Sequence, residues 1–122
     1  MRLSYKPVIG AMEMSSRVDG DLLMLEVVGD ITFFNVGQVI NEIDQSRRSY
    51  QITRVALNAG QVPMIDSAAF GALVSKARQL MDEGGYLRLV NPHPGIVNAL
   101  HRIHLEAVLP SYGTLEEAIR PN

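Results

Sequence analysis

The stretch MIDSAAFGALVSKARQLMDEGGYLRLVN, residues 64–91, decides the fold, because it contains the end of one strand, a whole helix and a further strand. From Asp66 to about Glu83, apolar residues recur at helical spacing and polar residues occupy the opposite side. The predicted apolar stripe is Phe70, Leu73, Val74, Ala77, Leu80 and Met81, and the polar side is Lys76, Arg78, Gln79 and Asp82. Gly84-Gly85 ends the helix, and YLRLV is typical of a buried strand.

On the N-terminal side, the sequence predicts a hairpin, a helix and another strand. MEMSSRV and LLMLEVV flank Asp19-Gly20, a strong signal for a short turn because glycine accepts the positive φ that such turns require. Val36, Val39, Ile40 and Ile43 fall at helical spacing after Asn35, a candidate cap, and ITRVALNAG predicts the next strand. Residues 1–11 lack periodicity and contain Pro7 and Gly10, so we expect an irregular lead-in there.

On the C-terminal side, NPHPGIVNALHRIHL predicts a third helix that Pro94 opens. A short strand is expected near Ala107 to Leu109, and a last helix from Thr114 to Ile119. That helix begins with a capping box, in which Thr114 is the cap and Glu117 reaches back. The resulting order, β-β-α-β-α-β-α-β-α, predicts one α/β domain over residues 12–120, with a mostly parallel or mixed sheet and helices packed on it.

Composition excludes several classes of function. The chain has 122 residues, a net charge of -2 and no cysteine, which rules out disulfides, thiol nucleophiles and cysteine-bound zinc. The charge gives no general attraction to nucleic acid or anionic lipid. Apolar runs are too short for a membrane span. We therefore expect a cytoplasmic protein that binds no nucleic acid and does not insert into a membrane.

Motifs for catalysis, metals and cofactors are missing. His101 and His104 lie three residues apart, with Glu106 nearby, but no further ligand is indicated and partly exposed helix residues are the simpler interpretation. The chain contains no G-x-S-x-G elbow, P-loop or dinucleotide fingerprint. The sequence therefore predicts that the protein is not an enzyme and that it holds no metal and no cofactor.

Asp66 and Ser67 interrupt an apolar run at the predicted start of the second helix. Asp66 lies where a cap is needed, and Ser67 follows in the first turn, near backbone N–H groups that no residue of the helix satisfies. One interpretation is a simple capping pair. The other is a phosphorylation site, because this position tolerates negative charge and a phosphoryl group would add about two charges beside Asp66.

With this order of elements, the chain resembles the STAS domain, the family of sulfate transporter and anti-sigma factor antagonist domains. The family pattern is a strand, a loop ending in D-S-S/T-G-L, an amphipathic helix, G-G and a further strand, and residues 64–91 follow it. VVGDITFFNV resembles the family's strand followed by G-[DE]-L-D, and TLEEAI resembles its closing T-x-E-E-A-L. The resemblance extends from about Met12 to Ile119. It implies a four- to five-stranded mixed sheet with about four helices, mainly on one face.

The resemblance also implies a function in the antagonist branch of the family. There, an anti-sigma factor that is also a serine kinase phosphorylates the serine after the motif's aspartate, which is Ser67 here. The unphosphorylated protein binds that kinase and releases the sigma factor, the phosphorylated protein does not, and a phosphatase reverses the change. The resemblance places the supporting residues at Asp66, Ala68 and Ala69, and the partner-binding residues at Asp30, Thr32, Phe33, Phe34 and Phe70.

The chain departs from the family pattern at two positions. Ala69 replaces the glycine of D-S-S/T-G-L, which we expect to place a methyl group where a partner's backbone approaches. Thr32 stands where an aspartate often follows G-[DE]-L, so an acid near the phosphorylation site is missing. These departures motivate an alternative, in which the chain is a constitutive STAS subunit of a lipid-transport ABC complex or of a larger signalling assembly. A homo-oligomer is also compatible with the sequence.

Overall fold

A six-stranded mixed sheet forms the centre of the structure, and its strands lie in chain order. The computed structural model describes residues 2–7, as backbone, and 12–121. The strands are β1 Arg2–Pro7, β2 Glu13–Asp19, β3 Leu22–Val28, β4 Arg54–Gln61, β5 Tyr86–Val90 and β6 Ser111–Tyr112. The first three strands pair antiparallel, and β3 to β6 pair parallel. The carboxyl ends of β3, β4 and β5 therefore share one edge of the sheet.

The helices lie unequally on the two faces of this sheet. They are α1 Val36–Tyr50, α2 Ser67–Asp82, α3 Pro94–Arg102 and α4 Leu115–Ala118. The larger core cluster joins the sheet to α1, α2 and α3, whereas the smaller one joins Leu22, Ala56 and Val90 to Ala118 of α4. The predicted mixed sheet with helices mainly on one face is confirmed by strands β2–β6 and these four helices. The strand β1 adds a sixth strand to this sheet.

The short α4 is held to the sheet by one buried arginine. The Arg88 guanidinium lies 3.7 Å from the centroid of the Tyr86 ring, and its Nη1 donates to the carbonyls of Ala118 and Arg120 at 2.9 and 2.7 Å. Arg88 is 4% exposed. Because these carbonyls end a single-turn helix, the arginine satisfies acceptors that the helix leaves unpaired.

Two predictions about local structure are wrong. Residues 2–7, expected to belong to an irregular lead-in, form β1 along β2, because the outer edge of β2 offers unpaired N–H and C=O groups. The strand expected at residues 107–109 is found at Ser111–Tyr112, because the chain first makes hydrogen-bonded turns back to the Leu105 carbonyl. Residues 1 and 8–11 of the predicted lead-in lie outside the described residues, and the limits of the domain stay a prediction.

The buried side of α2 contains five of the six residues of the predicted stripe, and the assignments of Met81 and Lys76 are wrong. Met81, assigned to the apolar side, is 48% exposed, and Lys76, assigned to the polar side, is 8% exposed. Lys76 faces α1, where its Nζ donates to Asp44 Oδ1 at 2.6 Å. Gln79 Oε1 accepts a second bond from the same ammonium at 2.5 Å. A charge partner on α1, which periodicity within α2 does not reveal, allows this lysine to be buried.

Among residues 2–7 and 12–121, no helix combines the length and the apolar character that a membrane span requires.

The pair of Asp44 and Lys76 makes the stability of the fold sensitive to acid. Burial raises the pKa of the Asp44 carboxyl, but Lys76 and Arg47 outweigh burial and hold that pKa below its ordinary value. The pair therefore stabilises the fold above the unfolded-state pKa of about 3.9 and loses this effect as the pH falls through the folded-state pKa. We expect Asp44→Asn to lower the free energy of unfolding by about 1–3 kcal/mol at pH 7.

Urea denaturation at pH 7 and near pH 3 checks this expectation. The difference in stability between the wild type and Asp44→Asn should narrow at the lower pH. Asp82→Asn, on the exposed side of α2, is the matched control and should have little effect at either pH. A difference that is the same at both pH values would contradict the role of the ion pair.

Gly85 is required by a close approach between two strands. A Cβ at this position would lie 1.6 Å from the Thr53 carbonyl oxygen, which accepts the Tyr86 N–H that begins β5. We expect Gly85→Ala to lower the free energy of unfolding by roughly 1–3 kcal/mol, as overpacking does. Gly95→Ala in the first turn of α3, where a Cβ meets nothing within 4 Å, is the control. Chemical denaturation should show a loss only for Gly85→Ala.

Candidate phosphorylation and partner-binding site

Two loops lie side by side at the carboxyl edge of the sheet. The β3–α1 loop covers residues 29–35, and the β4–α2 loop covers residues 62–66. Ile31 N–H donates to the Met64 carbonyl at 3.0 Å, and Asp66 N–H donates to the Ile31 carbonyl at 3.1 Å. Ile31 and Ile65 form an isolated parallel bridge. The two loops therefore continue the pairing of β3 with β4 beyond the ends of these strands.

The Asp66 carboxylate joins the two loops through both of its oxygens. Oδ1 accepts the Ala69 N–H at 2.8 Å, which caps α2 as predicted. Oδ2 accepts the Phe33 N–H of the other loop at 2.9 Å. One side chain thus fixes the start of the helix that carries Ser67 and the backbone that carries Phe33. The sequence indicated the first contact but not the second, because no local pattern links residues 33 positions apart.

Asn35 stabilises the β3–α1 loop from within. Its Oδ1 accepts the Thr32 N–H at 2.8 Å, and its Nδ2 donates to the Asp30 carbonyl at 2.9 Å. Asn35 is the residue before α1, as predicted, but its side chain makes no capping bond to that helix. The prediction that it caps α1 is wrong in this respect, since its amide is committed to the loop.

Thr32 also supports the loop. Its Oγ1 accepts the Phe34 N–H at 3.2 Å. An aspartate, which the family pattern often places here, could accept the same bond. Threonine therefore supplies the hydrogen bond without adding a negative charge to the surface near Ser67.

Phe33 and Phe34 project from this fixed loop into solvent. Their exposed fractions are 67% and 92%, and their rings contact each other edge to face, with centroids 5.4 Å apart. Met64, in the neighbouring loop, is 43% exposed. Large apolar side chains held in solvent by a well-bonded backbone are typical of a surface that binds another protein.

Ser67 is exposed as the first residue of α2, and Ala68 beside it is also exposed. Ala69 is fully buried in the core cluster. The expectation that its methyl group meets a partner is therefore wrong, since that methyl packs inside the protein. Phe70 is 8% exposed and belongs mainly to the core.

A groove of about 600 Å³ runs from Ser67 between α2 and the end of α3. Ser67, Phe70, Gly71 and Val74 line it on the α2 side, and Arg102 and Ile103 line it on the α3 side. Sequence analysis did not assign α3 to the site. The available signal in the sequence was Gly71, a glycine one turn after Ser67 inside a predicted amphipathic helix.

The two histidines considered as metal ligands are sequence neighbours of groove residues but do not themselves line the groove. His101 Nδ1 is 3.7 Å from Glu106 Oε1, and both side chains are largely exposed. Within the described part of the chain, no three His, Cys, Asp or Glu side chains are placed to hold a metal ion.

Comparison with known proteins identifies the family and the fold. The family model of the STAS domain matches residues 13–118. No curated protein sequence matches the chain. The match to the family model, the mixed sheet and the likeness to the solved structures described next together confirm the predicted STAS fold.

Three solved structures illustrate the likeness. A candidate anti-sigma factor antagonist from Thermotoga maritima has a TM-score of 0.74 at 21% identity, over 85% of this chain and 89% of the other. The cell fate determinant SpoIIAA of Bacillus, in its phosphorylated form, has a TM-score of 0.66 at 19% identity, over 97% and 96%. A sulfate transporter family protein from Wolinella succinogenes has a TM-score of 0.69 at 19% identity, over 84% and 85%.

The two bonds of Asp66 predict a coupled effect of mutation. We expect Asp66→Ala to lower the free energy of unfolding by about 1–2 kcal/mol through loss of the helix cap. We also expect the Phe33 amide to lose protection from hydrogen exchange, because its acceptor is removed. Thr114→Ala, which removes the side-chain cap of α4, is the control. It should leave the Phe33 amide protected, and equal exchange at Phe33 in both variants would contradict the bridging role of Asp66.

Proposed function

We propose that this chain, which belongs to the STAS domain family, is a phosphorylation-controlled antagonist of an anti-sigma factor that is also a serine kinase. The observation that carries the proposal is the placement of Ser67. Ser67 is exposed as the first residue of α2, directly after Asp66, whose carboxylate also holds the Phe33 N–H. A modification at Ser67 therefore changes the surface next to the exposed aromatic pair.

In the unphosphorylated state, the partner kinase binds the aromatic pair and the start of α2. Phe33 and Phe34 supply apolar area that a partner can bury, and the loop that carries them is already held by hydrogen bonds. Binding therefore requires little ordering of the backbone, which lowers its entropic cost. While the kinase is occupied in this way, it releases the sigma factor.

Phosphorylation ends this state by changing charge. The kinase transfers the γ-phosphoryl group of ATP to Ser67 Oγ, so that the O–P bond to Ser67 forms, the bond to ADP breaks and the hydroxyl proton is lost. About two negative charges then stand beside Asp66. A partner surface that fits the neutral serine must desolvate these charges or lie against like charge, and it dissociates. A phosphatase uses water to release inorganic phosphate and restores the serine.

The departures from the family pattern are compatible with this proposal. Thr32 keeps the hydrogen bond to Phe34 N–H, and the methyl of Ala69 lies in the core. Neither change covers Ser67 or the aromatic pair.

A second candidate is a constitutive subunit of a lipid-transport ABC complex or of a larger signalling assembly. The exposed pair of Phe33 and Phe34 favours it, because this apolar surface can bind a partner whatever the state of Ser67. In that case a stable complex forms that is insensitive to charge at position 67.

Binding to the anti-sigma factor serine kinases encoded in the same genome, each purified, tests the two candidates by calorimetry. We expect Ser67→Ala to bind as the wild type does and to accept no phosphoryl group from ATP. Ser67→Asp should bind at least about tenfold more weakly, which corresponds to about 1.4 kcal/mol. Mass spectrometry of the wild type after incubation with kinase and ATP should locate the phosphoryl group on Ser67.

The aromatic pair provides a further variant for the same assay. Changing Phe33 and Phe34 together to alanine should weaken binding at least about tenfold, without loss of stability, because both rings are exposed. Met81→Ala, at the far end of α2 and 48% exposed, should bind as the wild type. Equal binding of Ser67→Asp and Ser67→Ala, with loss only in the aromatic variant, would favour the constitutive subunit.

A further inference from the structure

We propose that Arg102, at the end of α3, binds the phosphoryl group of Ser67 across the groove, so that the phosphorylated protein covers part of its own binding surface. This inference rests on the proposed function in one respect, namely that Ser67 is the modified residue. It adds a residue on a different helix that responds to the modification.

The geometry places these residues on opposite walls of one groove. Ser67 and Gly71 are four residues apart and therefore share a face of α2. Both line the groove, as do Arg102 and Ile103 on the other wall. Arg102 and Ser67 are both exposed residues of this groove, so that solvent-filled space adjoins each of them.

Gly71 keeps the space between the two walls open. It is exposed as the fifth residue of α2, and a Cβ there would meet nothing within 4 Å. Glycine in a helix interior is destabilising relative to alanine, and among the described residues no packing contact requires it. The missing side chain leaves a path along which the Arg102 guanidinium can reach the first turn of α2.

The charges in the groove favour this pairing after phosphorylation. Asp66 and Arg102 are the charged residues that line it. Both oxygens of Asp66 already accept backbone N–H groups. Among the described residues, the hydrogen bonds and ion pairs include none from the Arg102 guanidinium. A guanidinium binds phosphate through two parallel hydrogen bonds. Arg102 can therefore compensate the negative charge of a phosphoryl group on Ser67, which the Asp66 carboxylate repels.

The pairing has a consequence for partner binding. Arg102 drawn over the groove covers its α2 wall, where Ser67 and Gly71 are exposed. The phosphorylated protein then differs from the free protein in shape as well as in charge. A partner that binds the start of α2 then meets the arginine as well as the phosphate.

The test uses phosphoserine that is genetically encoded at position 67, so that no kinase is needed. The second pKa of the phosphoserine is measured by ³¹P NMR in the wild-type background, in Arg102→Gln and in Arg78→Gln. Arg78 lies eleven residues beyond Ser67 on α2, about 16 Å along the helix, and controls for net charge. We expect Arg102→Gln to raise the phosphoserine pKa by about 1 unit, because an opposite charge is removed. Arg78→Gln should leave it unchanged.

Two further variants keep the test specific. In Arg102→Lys, the phosphoserine pKa should lie between that of the wild type and that of Arg102→Gln. Lysine keeps the positive charge but cannot form the two parallel hydrogen bonds of a guanidinium. Gly71→Leu should raise the pKa toward that of Arg102→Gln, because its side chain fills the path across the groove. The same phosphoserine pKa in the wild type, Arg102→Gln and Gly71→Leu would overturn the inference. That result would leave the kinase-binding experiment unaffected, just as a failure of kinase binding would leave this pKa comparison valid.

Discussion

The carboxylate of Asp66 is the contact on which the candidate site depends. Its two oxygens accept N–H groups from two separate crossovers, one at the start of α2 and one in the β3–α1 loop. Parallel pairing of β3 with β4 brings the loops close, but backbone pairing ends at the bridge of Ile31 and Ile65. Beyond that bridge, Asp66 holds the surface together. Ser67 and Phe33 therefore keep a fixed relation to each other, although they belong to different segments of the chain.

The two faces of the sheet are covered by different helices, and this difference follows from the same topology. The crossover helices α1, α2 and α3 bury one face, and the ion pair of Asp44 with Lys76 links α1 to α2 at a distance of 2.6 Å. The single-turn α4 covers part of the opposite face and depends on Arg88 to satisfy its carbonyls. Because the two loops of the candidate site lie at the sheet edge, the core can be rigid without fixing the side chains that the loops present.

Local patterns were sufficient to predict much of the fold. Periodicity located α2, Asp19-Gly20 predicted the hairpin, and Asp66 and Thr114 were recognised as caps because their hydrogen bonds span only three residues. Contacts between distant segments were not predictable in this way. The burial of Lys76 depends on Asp44 of another helix, and the second bond of Asp66 depends on Phe33. The groove was not predicted for the same reason, since Arg102 and Ser67 line one groove only after α2 and α3 have packed on the common core.

The fixed conformation of the β3–α1 loop has a kinetic consequence. A partner that buries Phe33 and Phe34 finds their backbone already in place, so that encounter need not wait for the loop to fold. Association can then proceed at the rate set by diffusion and orientation, and differences in affinity arise mainly from how long a complex survives. For such a surface, a change that weakens the complex acts chiefly by shortening its lifetime.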